Sequence, residues 1–254
     1  MTLRRLQKWH GAGNDFLVDV MEPAETWWDP SRARAACDRR LGVGADGVAV
    51  ATLGEGVSMV LWNADGTVAE MSGNGVRCVA AAVRRSTGGT WDEIDVATDA
   101  GERRVHLSMD GPDGYGGVSM GTVTLADPPA GALGLALVGN PHVVVDDDPG
   151  WSDAQREELA RQFGDEVGAT NVEFVTVLDK GHVSMTVIER GVGWTLACGT
   201  GSCAVAAVLR DDGRVGDDVV VDNPGGALRV TLEGGGATLY GPVHFVADVD
   251  WNAP

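Results

Sequence analysis

The fold is decided by two stretches of similar sequence, residues 72–81 (SGNGVRCVAA) and residues 198–207 (CGTGSCAVAA). Each begins with a small polar side chain, continues with Gly-x-Gly, and then runs almost wholly through Ala, Val and Cys. A helix that is apolar on all sides is typically buried. The pattern therefore predicts two buried helices, over residues 75–85 and 201–210, each inside a shell of strands.

The two stretches also reveal an internal repeat, because they lie 126 residues apart in a chain of 254 residues. The pattern predicts an α/β protein of two pseudo-symmetric halves, each a mixed β-sheet or barrel wrapped around a central buried helix. We place the halves at residues 1–115 and 116–244, with the boundary in the glycine-rich stretch 110–117. The last residues, 245–254 with Trp251, are expected to return to the first half.

Other elements follow from periodicity and turn residues. Short β-type runs bounded by Gly, Asp, Asn and Pro predict strands, for example over residues 16–20, 57–61, 105–109, 143–145 and 172–178. Two polar segments predict surface helices over residues 31–41 and 152–163. Ser152 and Gln155 have the spacing of a capping box at the start of the second.

Composition limits the classes of function. The net charge is −18, from 37 acidic and 19 basic residues, and such a surface repels nucleic acid. No stretch has the length and apolarity of a membrane span, and polar residues follow Arg4 and Arg5 where a signal peptide has its apolar region. The four cysteines show neither Cys-x-x-Cys nor zinc-ligand spacing. We expect a cytoplasmic protein without metal, nucleic-acid partner or membrane contact.

The start of each buried helix is suited to binding an anion. The first N–H groups of a helix lack intrahelical acceptors, the helix dipole adds positive potential, and glycines let a ligand approach the backbone. These features suit an α-carboxylate and the charge that develops when an α-proton leaves. Gly-x-Gly before a helix also occurs in dinucleotide-binding proteins, but both copies lack the third glycine of that fingerprint.

The cysteines are expected to differ in reactivity. A thiol at a helix start has a lowered pKa, so Cys198 is expected to be a thiolate near neutral pH. Cys37, Cys78 and Cys203 are expected to be inert core residues.

Eight segments make the chain resemble the diaminopimelate epimerase family over nearly its whole length. They are residues 8–16 (KWHGAGNDF), 37–47 (CDRRLGVGADG), 63–66 (NADG), 70–78 (EMSGNGVRC), 139–142 (GNPH), 170–174 (TNVEF), 189–191 (ERG) and 197–201 (ACGTG). The resemblance implies a two-domain α/β fold and an isomerase that interconverts LL- and meso-diaminopimelate, for lysine and peptidoglycan precursors, with no cofactor. In this family a cysteine from each half acts, as thiolate base and thiol acid, on opposite faces of the α-carbon.

The resemblance also implies a role for each matching residue. The catalytic positions correspond to Cys198 and Ser72. Substrate binding is expected from Asn14, Asn63, Gly73, Asn74, Asn140, Asn171, Glu189, Arg190, Gly199 and Thr200. Of these, Gly73, Asn74, Gly199 and Thr200 correspond to residues that hold the reacting carboxylate, and Asn63, Asn140, Asn171 and Arg190 to residues at the distal amino-acid end. His142 and Glu189 are expected to tune the pKa of the catalytic pair. The expected partner is a small amino-acid substrate, and a homodimer is left open.

Two residues depart from the family pattern. Ser72 stands where the family has its first catalytic cysteine, and a hydroxyl is far less acidic than a thiol. Trp194 stands where the family typically has Glu, and its ring is expected to reshape the pocket near Cys198. Three interpretations remain: an epimerase with an engineered Cys→Ser change, a natural paralogue that performs one-base isomerisation or elimination on another amino acid, and a non-catalytic amino-acid-binding relative.

Overall fold

The computed structural model describes residues 3–22, 27–69, 71–168 and 170–253. Its contacts divide the chain into two compact units, one of residues 1–118 with 241–254 and the other of residues 119–240. Glu70, the first residue of the segment 70–78, lies outside the described residues. Within the described ranges, no helix has both the length and the apolar character that a membrane span requires.

The described residues form strands that four helices interrupt. The strands are β1 (Leu3–Gly11), β2 (Asn14–Met21), β3 (Gly47–Leu53), β4 (Val57–Asn63), β5 (Val68–Ala69), β6 (Glu93–Thr98), β7 (Gly101–Asp110), β8 (Asp113–Thr122), β9 (Thr124–Ala126), β10 (Gly134–Val138), β11 (Asn140–Asp146), β12 (Asn171–Asp179), β13 (His182–Glu189), β14 (Gly193–Thr195), β15 (Asp218–Asn223), β16 (Gly226–Glu233) and β17 (Gly236–Asn252). The helices are α1 (Pro30–Cys37), α2 (Gly73–Thr87), α3 (Asp153–Val167) and α4 (Gly199–Asp211).

The first unit is a closed mixed barrel around α2. Its strands pair in the order β1, β2, β3, β4, β6, β7 and β8, with parallel pairs at β2–β3 and β4–β6 and antiparallel pairs elsewhere. Strand β17 pairs with both β8 and β1 and so closes the ring. Helix α2 packs against β1, β2, β3, β4, β6 and β7, and its first eleven residues are buried. The central buried helix predicted for this half is confirmed.

The second unit repeats this topology strand for strand. Strands β10 and β11 are antiparallel, β11 and β12 parallel, β12 and β13 antiparallel, β13 and β15 parallel, and β15 and β16 antiparallel. The short strand β14 pairs with β13 as β5 pairs with β4. Helix α4 packs against β10, β11, β12, β15 and β16. The predicted pseudo-symmetric α/β architecture is therefore confirmed.

The end of the chain packs onto its beginning within the first unit. Strand β17 pairs with β1 from Leu3 to His10. The ring of Trp251 stacks on that of Trp28 with centroids 5.9 Å apart, and Trp27 meets Trp251 edge-on. These rings cover a buried apolar cluster that includes Leu6.

The two surface helices show where local side chains set helix ends. Helix α3 begins with the predicted capping box of Ser152 and Gln155, which is confirmed. Helix α1 ends at Cys37, so the prediction of a helix to residue 41 was wrong. The carboxylate of Asp38 accepts hydrogen bonds from the backbone N–H groups of Arg40 and Leu41, at 2.7 and 2.8 Å. Such a side-chain turn competes with helical hydrogen bonding and ends the helix.

Candidate active site

Ser72 is the N-cap residue of α2. Its backbone is extended, and its Oγ accepts a hydrogen bond of 3.1 Å from the backbone N–H of Gly75. A Cβ added at Gly75 would lie 3.3 Å from the Cβ of Ser72 and 3.5 Å from the ring of Phe16. The glycine therefore allows the helix start to approach both side chains, with the Ser72 hydroxyl at the positive end of the helix dipole.

Cys198 is the N-cap residue of α4 and is buried. Its Sγ accepts a hydrogen bond of 3.3 Å from the backbone N–H of Gly201 and lies 3.4 Å from Oγ1 of Thr200. A Cβ at Gly201 would lie only 2.5 Å from Oε1 of Glu173 and 3.2 Å from Sγ of Cys198. Gly201 is thus required by the close approach of a carboxylate and a thiol to the helix start.

The surroundings of Cys198 disfavour the thiolate form of its side chain. Burial raises the pKa of Cys198 well above its ordinary value, and the charges of Glu189 and Glu173 raise it further. The hydrogen bonds to Thr200 and to the N–H of Gly201 lower the pKa, but less strongly. The expectation of a thiolate near neutral pH was therefore wrong, since it counted the helix start and omitted burial and two carboxylates.

A buried imidazole–carboxylate pair lies beside Cys198. Nδ1 of His142 is 2.7 Å from Oε1 of Glu173, and Nε2 of His142 is 3.0 Å from Oδ1 of Asn140. Both His142 and Glu173 are fully buried. A ring nitrogen of His142, a carboxylate oxygen of Glu173 and Sγ of Cys198 all lie within 4.8 Å of one another. Because the imidazole and the carboxylate already bond to each other, the cluster is suited to exchanging protons.

Sequence reasoning assigned no role to Glu173, although the signal was present. Residues 172–175 read VEFV in a strand that is buried throughout this stretch. A charged residue is almost never fully buried unless it is paired. A single Glu among Val and Phe in a buried strand therefore indicates a specific partner, which the structure shows to be His142.

The remaining candidate residues of the second unit lie at the same end of its barrel. Asn140 begins β11, Asn171 begins the parallel strand β12, and Glu189 ends the antiparallel strand β13. Oδ1 of Asn171 accepts a hydrogen bond of 2.9 Å from the backbone N–H of Arg190. Oε1 of Glu189 accepts one of 2.6 Å from the hydroxyl of Thr195. The predicted residues of this half are thus grouped around the start of α4, where Gly199 and Thr200 lie.

The candidate residues of the first unit are grouped in the same way. Asn14 begins β2, Asn63 ends β4, and Gly73 and Asn74 begin α2. Nδ2 of Asn74 donates a hydrogen bond of 3.3 Å to Oδ1 of Asn14, and Nη2 of Arg77 bonds Oδ1 of Asn74 at 2.5 Å. Asn14 and Asn140 each begin the second strand of their barrel, 126 residues apart, which is the spacing of Ser72 and Cys198.

An ion-pair network that sequence reasoning missed supports Asn14. Asp15 forms ion pairs with Lys8 at 2.9 Å and Arg39 at 2.6 Å, and Arg39 also contacts Asp46 at 2.8 Å. Oδ2 of Asp46 accepts a hydrogen bond of 2.8 Å from Nδ2 of Asn14. Burial alone would raise the pKa of Asp15, but hydrogen bonds from Arg39 and Lys8 outweigh it and leave the pKa lowered. The network holds a carboxamide of the candidate site in one orientation.

Comparison with known proteins identifies the family. The sequence model of the family described as diaminopimelate epimerase matches residues 6–126 and 134–246. The diaminopimelate epimerase of Xanthomonas axonopodis pv. citri is 37% identical over 98% of this chain and 96% of its own length. That of Rhodococcus opacus is 39% identical over 96% of this chain and 98% of its own length. The chain belongs to the diaminopimelate epimerase family. By class it is an isomerase.

Solved structures of lower identity share the fold. A predicted epimerase from Pseudomonas aeruginosa is 15% identical and covers 97% of this chain and 98% of its own, with a TM-score of 0.77. A hydroxyproline epimerase from Agrobacterium vitis, solved with trans-4-hydroxy-L-proline, is 16% identical and covers 98% of this chain and 92% of its own, with a TM-score of 0.76. At these identities the likeness shows the fold alone.

Trp194 lies on the face of β14 that points away from Cys198. Its Nε1 donates a hydrogen bond of 2.9 Å to Oε1 of Glu157 on α3, and its ring lies 6.3 Å from that of Phe174. The next residue, Thr195, bonds Glu189. Successive side chains of a strand point to opposite faces, so Trp194 lies on the α3 side of β14. The expectation that its ring reshapes the pocket near Cys198 was wrong.

Proposed function

We propose that this member of the diaminopimelate epimerase family interconverts LL- and meso-diaminopimelate in the cytoplasm, supplying lysine and peptidoglycan precursors. Cys198 and Ser72 serve opposite faces of the α-carbon in this proposal. The observation that carries it is the equivalence of the two helix starts. In each, an N-cap side chain stands before Gly-x-Gly and accepts a hydrogen bond from the third residue after it.

Each group has a defined task in the reaction. Backbone N–H groups at Gly73, Asn74, Gly199 and Thr200 bind the reacting carboxylate and stabilise the charge that develops on it. Asn63, Asn140, Asn171 and Arg190 bind the distal amino-acid end. Cys198 removes the α-proton after it has lost its own proton. Because the pKa of Cys198 is raised, substrate binding must assist that loss. No cofactor takes part in this mechanism, and a homodimer stays a prediction.

Ser72 favours a second candidate function. A serine hydroxyl is a much weaker acid than a thiol, so the face of the α-carbon opposite Cys198 lacks a ready proton donor. The chain would then perform one-base chemistry, namely exchange with retention, isomerisation or elimination on an amino acid. Both candidates need Cys198 as a carbon base, whereas a non-catalytic binding relative does not.

Proton exchange in deuterated buffer tests the proposal. We expect the protein to incorporate deuterium at the α-carbon of diaminopimelate, with inversion slower than exchange because Ser72 reprotonates poorly. Mass spectrometry measures incorporation, and chiral chromatography measures inversion. The matched control is Cys198→Ser, which should abolish exchange while the protein stays folded. If neither diaminopimelate stereoisomer binds or exchanges, the proposed substrate is wrong.

A further inference from the structure

The pair of Glu173 and His142 is tightly bonded and shielded from water. The side chains of both residues are fully buried, and the distance from Oε1 to Nδ1 is 2.7 Å. A lone buried carboxylate is strongly unfavourable, whereas a bonded pair without net charge is tolerated. The fold therefore holds Glu173 in this position only together with its partner.

Both ring nitrogens of His142 have hydrogen-bond partners. Nε2 of His142 faces Oδ1 of Asn140, which can only accept, so Nε2 carries a hydrogen. The bond between Nδ1 and Oε1 then contains one further hydrogen, either on the imidazole or on the carboxyl group. In both arrangements the pair is neutral overall and shares a single mobile proton. The imidazole is therefore held in one orientation by hydrogen bonds at both of its ring nitrogens.

The second carboxylate oxygen of Glu173 is not part of this hydrogen bond. Oε2 is buried and has no hydrogen-bond partner among the described residues. Buried polar atoms are almost always bonded in native proteins, so the lone pairs of Oε2 are available to accept a proton. A carboxylate oxygen of Glu173 lies within 4.8 Å of Sγ of Cys198. The missing side chain of Gly201 leaves room for Oε1 of Glu173 and Sγ of Cys198 at the helix start, because a Cβ there would lie 2.5 and 3.2 Å from them.

We propose that Glu173 is a positioning residue, which shares one proton with His142, fixes the imidazole beside Cys198, and receives the thiol proton on its carboxylate. This inference rests on the proposed function and deepens it. The S–H bond of Cys198 breaks, an O–H bond forms on Glu173, and the electron pair stays on sulfur. The thiolate then stands beside an imidazolium, since the shared proton moves fully to Nδ1. The thiol can thus ionise without leaving an uncompensated charge in the barrel.

The other carboxylate near Cys198 is differently placed. Glu189 lies at the end of β13, is partly exposed, and accepts the hydroxyl of Thr195. Its charge raises the pKa of Cys198, as does that of Glu173. Among the described residues, the titratable groups found near the thiol are thus Glu173, His142 and Glu189, and of these three Glu173 and His142 are bonded to each other and fully buried.

Imidazole signals of isotopically labelled histidine test the inference in the ligand-free protein. The chain has five histidines, and a His142→Gln variant assigns the signals of His142. We expect a strongly hydrogen-bonded Nδ1 proton that disappears in Glu173→Gln, because a carboxamide cannot share a proton with Nδ1 and instead donates to it. Glu173→Asp should retain a weakened form of the signal. An Nδ1 signal that is the same in the native protein and in Glu173→Gln overturns the inference.

Kinetics separate positioning from a merely structural role. We expect Glu173→Gln to lower kcat for α-proton exchange by about 10²-fold or more, the scale of a lost acid–base group, with KM nearly unchanged. Glu173→Asp should recover part of kcat. The matched control is Glu157→Gln, which alters a Glu that bonds Trp194 on α3 and should leave kcat unchanged. Equal kcat for the native protein and Glu173→Gln contradicts the inference. If the native protein exchanges neither diaminopimelate stereoisomer, the proposed function fails, and the imidazole signals still decide the role of Glu173.

Discussion

Ser72 and Cys198 make the same hydrogen bond at equivalent places in the two units. Oγ of Ser72 accepts the N–H of Gly75 at 3.1 Å, and Sγ of Cys198 accepts the N–H of Gly201 at 3.3 Å. The duplicated fold has therefore kept the geometry of an N-cap while the chemistry of the capping atom differs. Because oxygen caps a helix at least as well as sulfur, Ser72 costs the fold nothing, and its consequence falls on proton transfer.

Ser72→Cys should restore the missing acid. The thiol would replace the hydroxyl as N-cap of α2 and could donate a proton to the α-carbon. We expect inversion of diaminopimelate to increase by about 10²–10⁴-fold, the usual contribution of a general acid or base. Chiral chromatography of the product measures this increase. Rapid inversion already in the native protein would refute the need for two thiols, and no gain in a folded Ser72→Cys variant would favour the one-base paralogue.

Cys198 should be alkylated slowly at neutral pH and faster as the pH rises. The thiolate is the reactive form, and burial with two nearby carboxylates raises the pKa of Cys198. Burial also raises the pKa of Cys37 and of Cys78 to about 12. Iodoacetamide labelling followed by peptide mass spectrometry, at pH values from 7 to about 10, gives the rate for each cysteine. Fast labelling of Cys198 at pH 7 in the ligand-free protein would contradict this reasoning.

Local sequence predicted those parts of the fold that depend on neighbouring residues. The N-caps of α2 and α4, their burial and the capping box of α3 all follow from residues within one or two helical turns. The pKa of Cys198 does not, because it is raised first by burial inside the barrel and then by the charges of Glu189 and Glu173, and Glu173 lies on strand β12, 25 residues earlier in the chain. The side of β14 on which Trp194 lies likewise depends on strand pairing. Long-range placement is what a single sequence leaves undetermined.

Asp15→Asn should destabilise the protein in a pH-dependent way. The pKa of Asp15 is lowered in the fold by Arg39 and Lys8. A lowered carboxyl pKa contributes stability above the unfolded value, about 3.9, and this contribution is lost as the pH falls through the folded value. We expect a loss of about 1–3 kcal/mol at pH 7, the scale of charged hydrogen bonds, which diminishes below about pH 4.

The free energy of unfolding, measured with denaturant at pH 7 and below about pH 4, gives the effect of Asp15→Asn. The matched control is Asp95→Asn, because Asp95 also pairs with an arginine, Arg104, but at an exposed site. Exposed ion pairs contribute little, so the control should change the free energy of unfolding much less. Equal changes for the two variants would show that burial of Asp15 does not matter.

Arg190→Ala should weaken binding of diaminopimelate through its distal end. The backbone N–H of Arg190 bonds Asn171 and stays in the variant, so the change removes the guanidinium and preserves the local backbone. A guanidinium binds a carboxylate with two parallel hydrogen bonds. The loss of such a charged contact costs about 1.5–3 kcal/mol, or about 10- to 150-fold in Kd. Isothermal calorimetry with the exchange-deficient Cys198→Ser protein measures Kd without turnover. L-Alanine, which has no distal group, is the matched ligand: its weak binding should be the same with and without Arg190. If Arg190→Ala weakens both ligands equally, the residue supports the fold of the site and does not recognise the distal carboxylate.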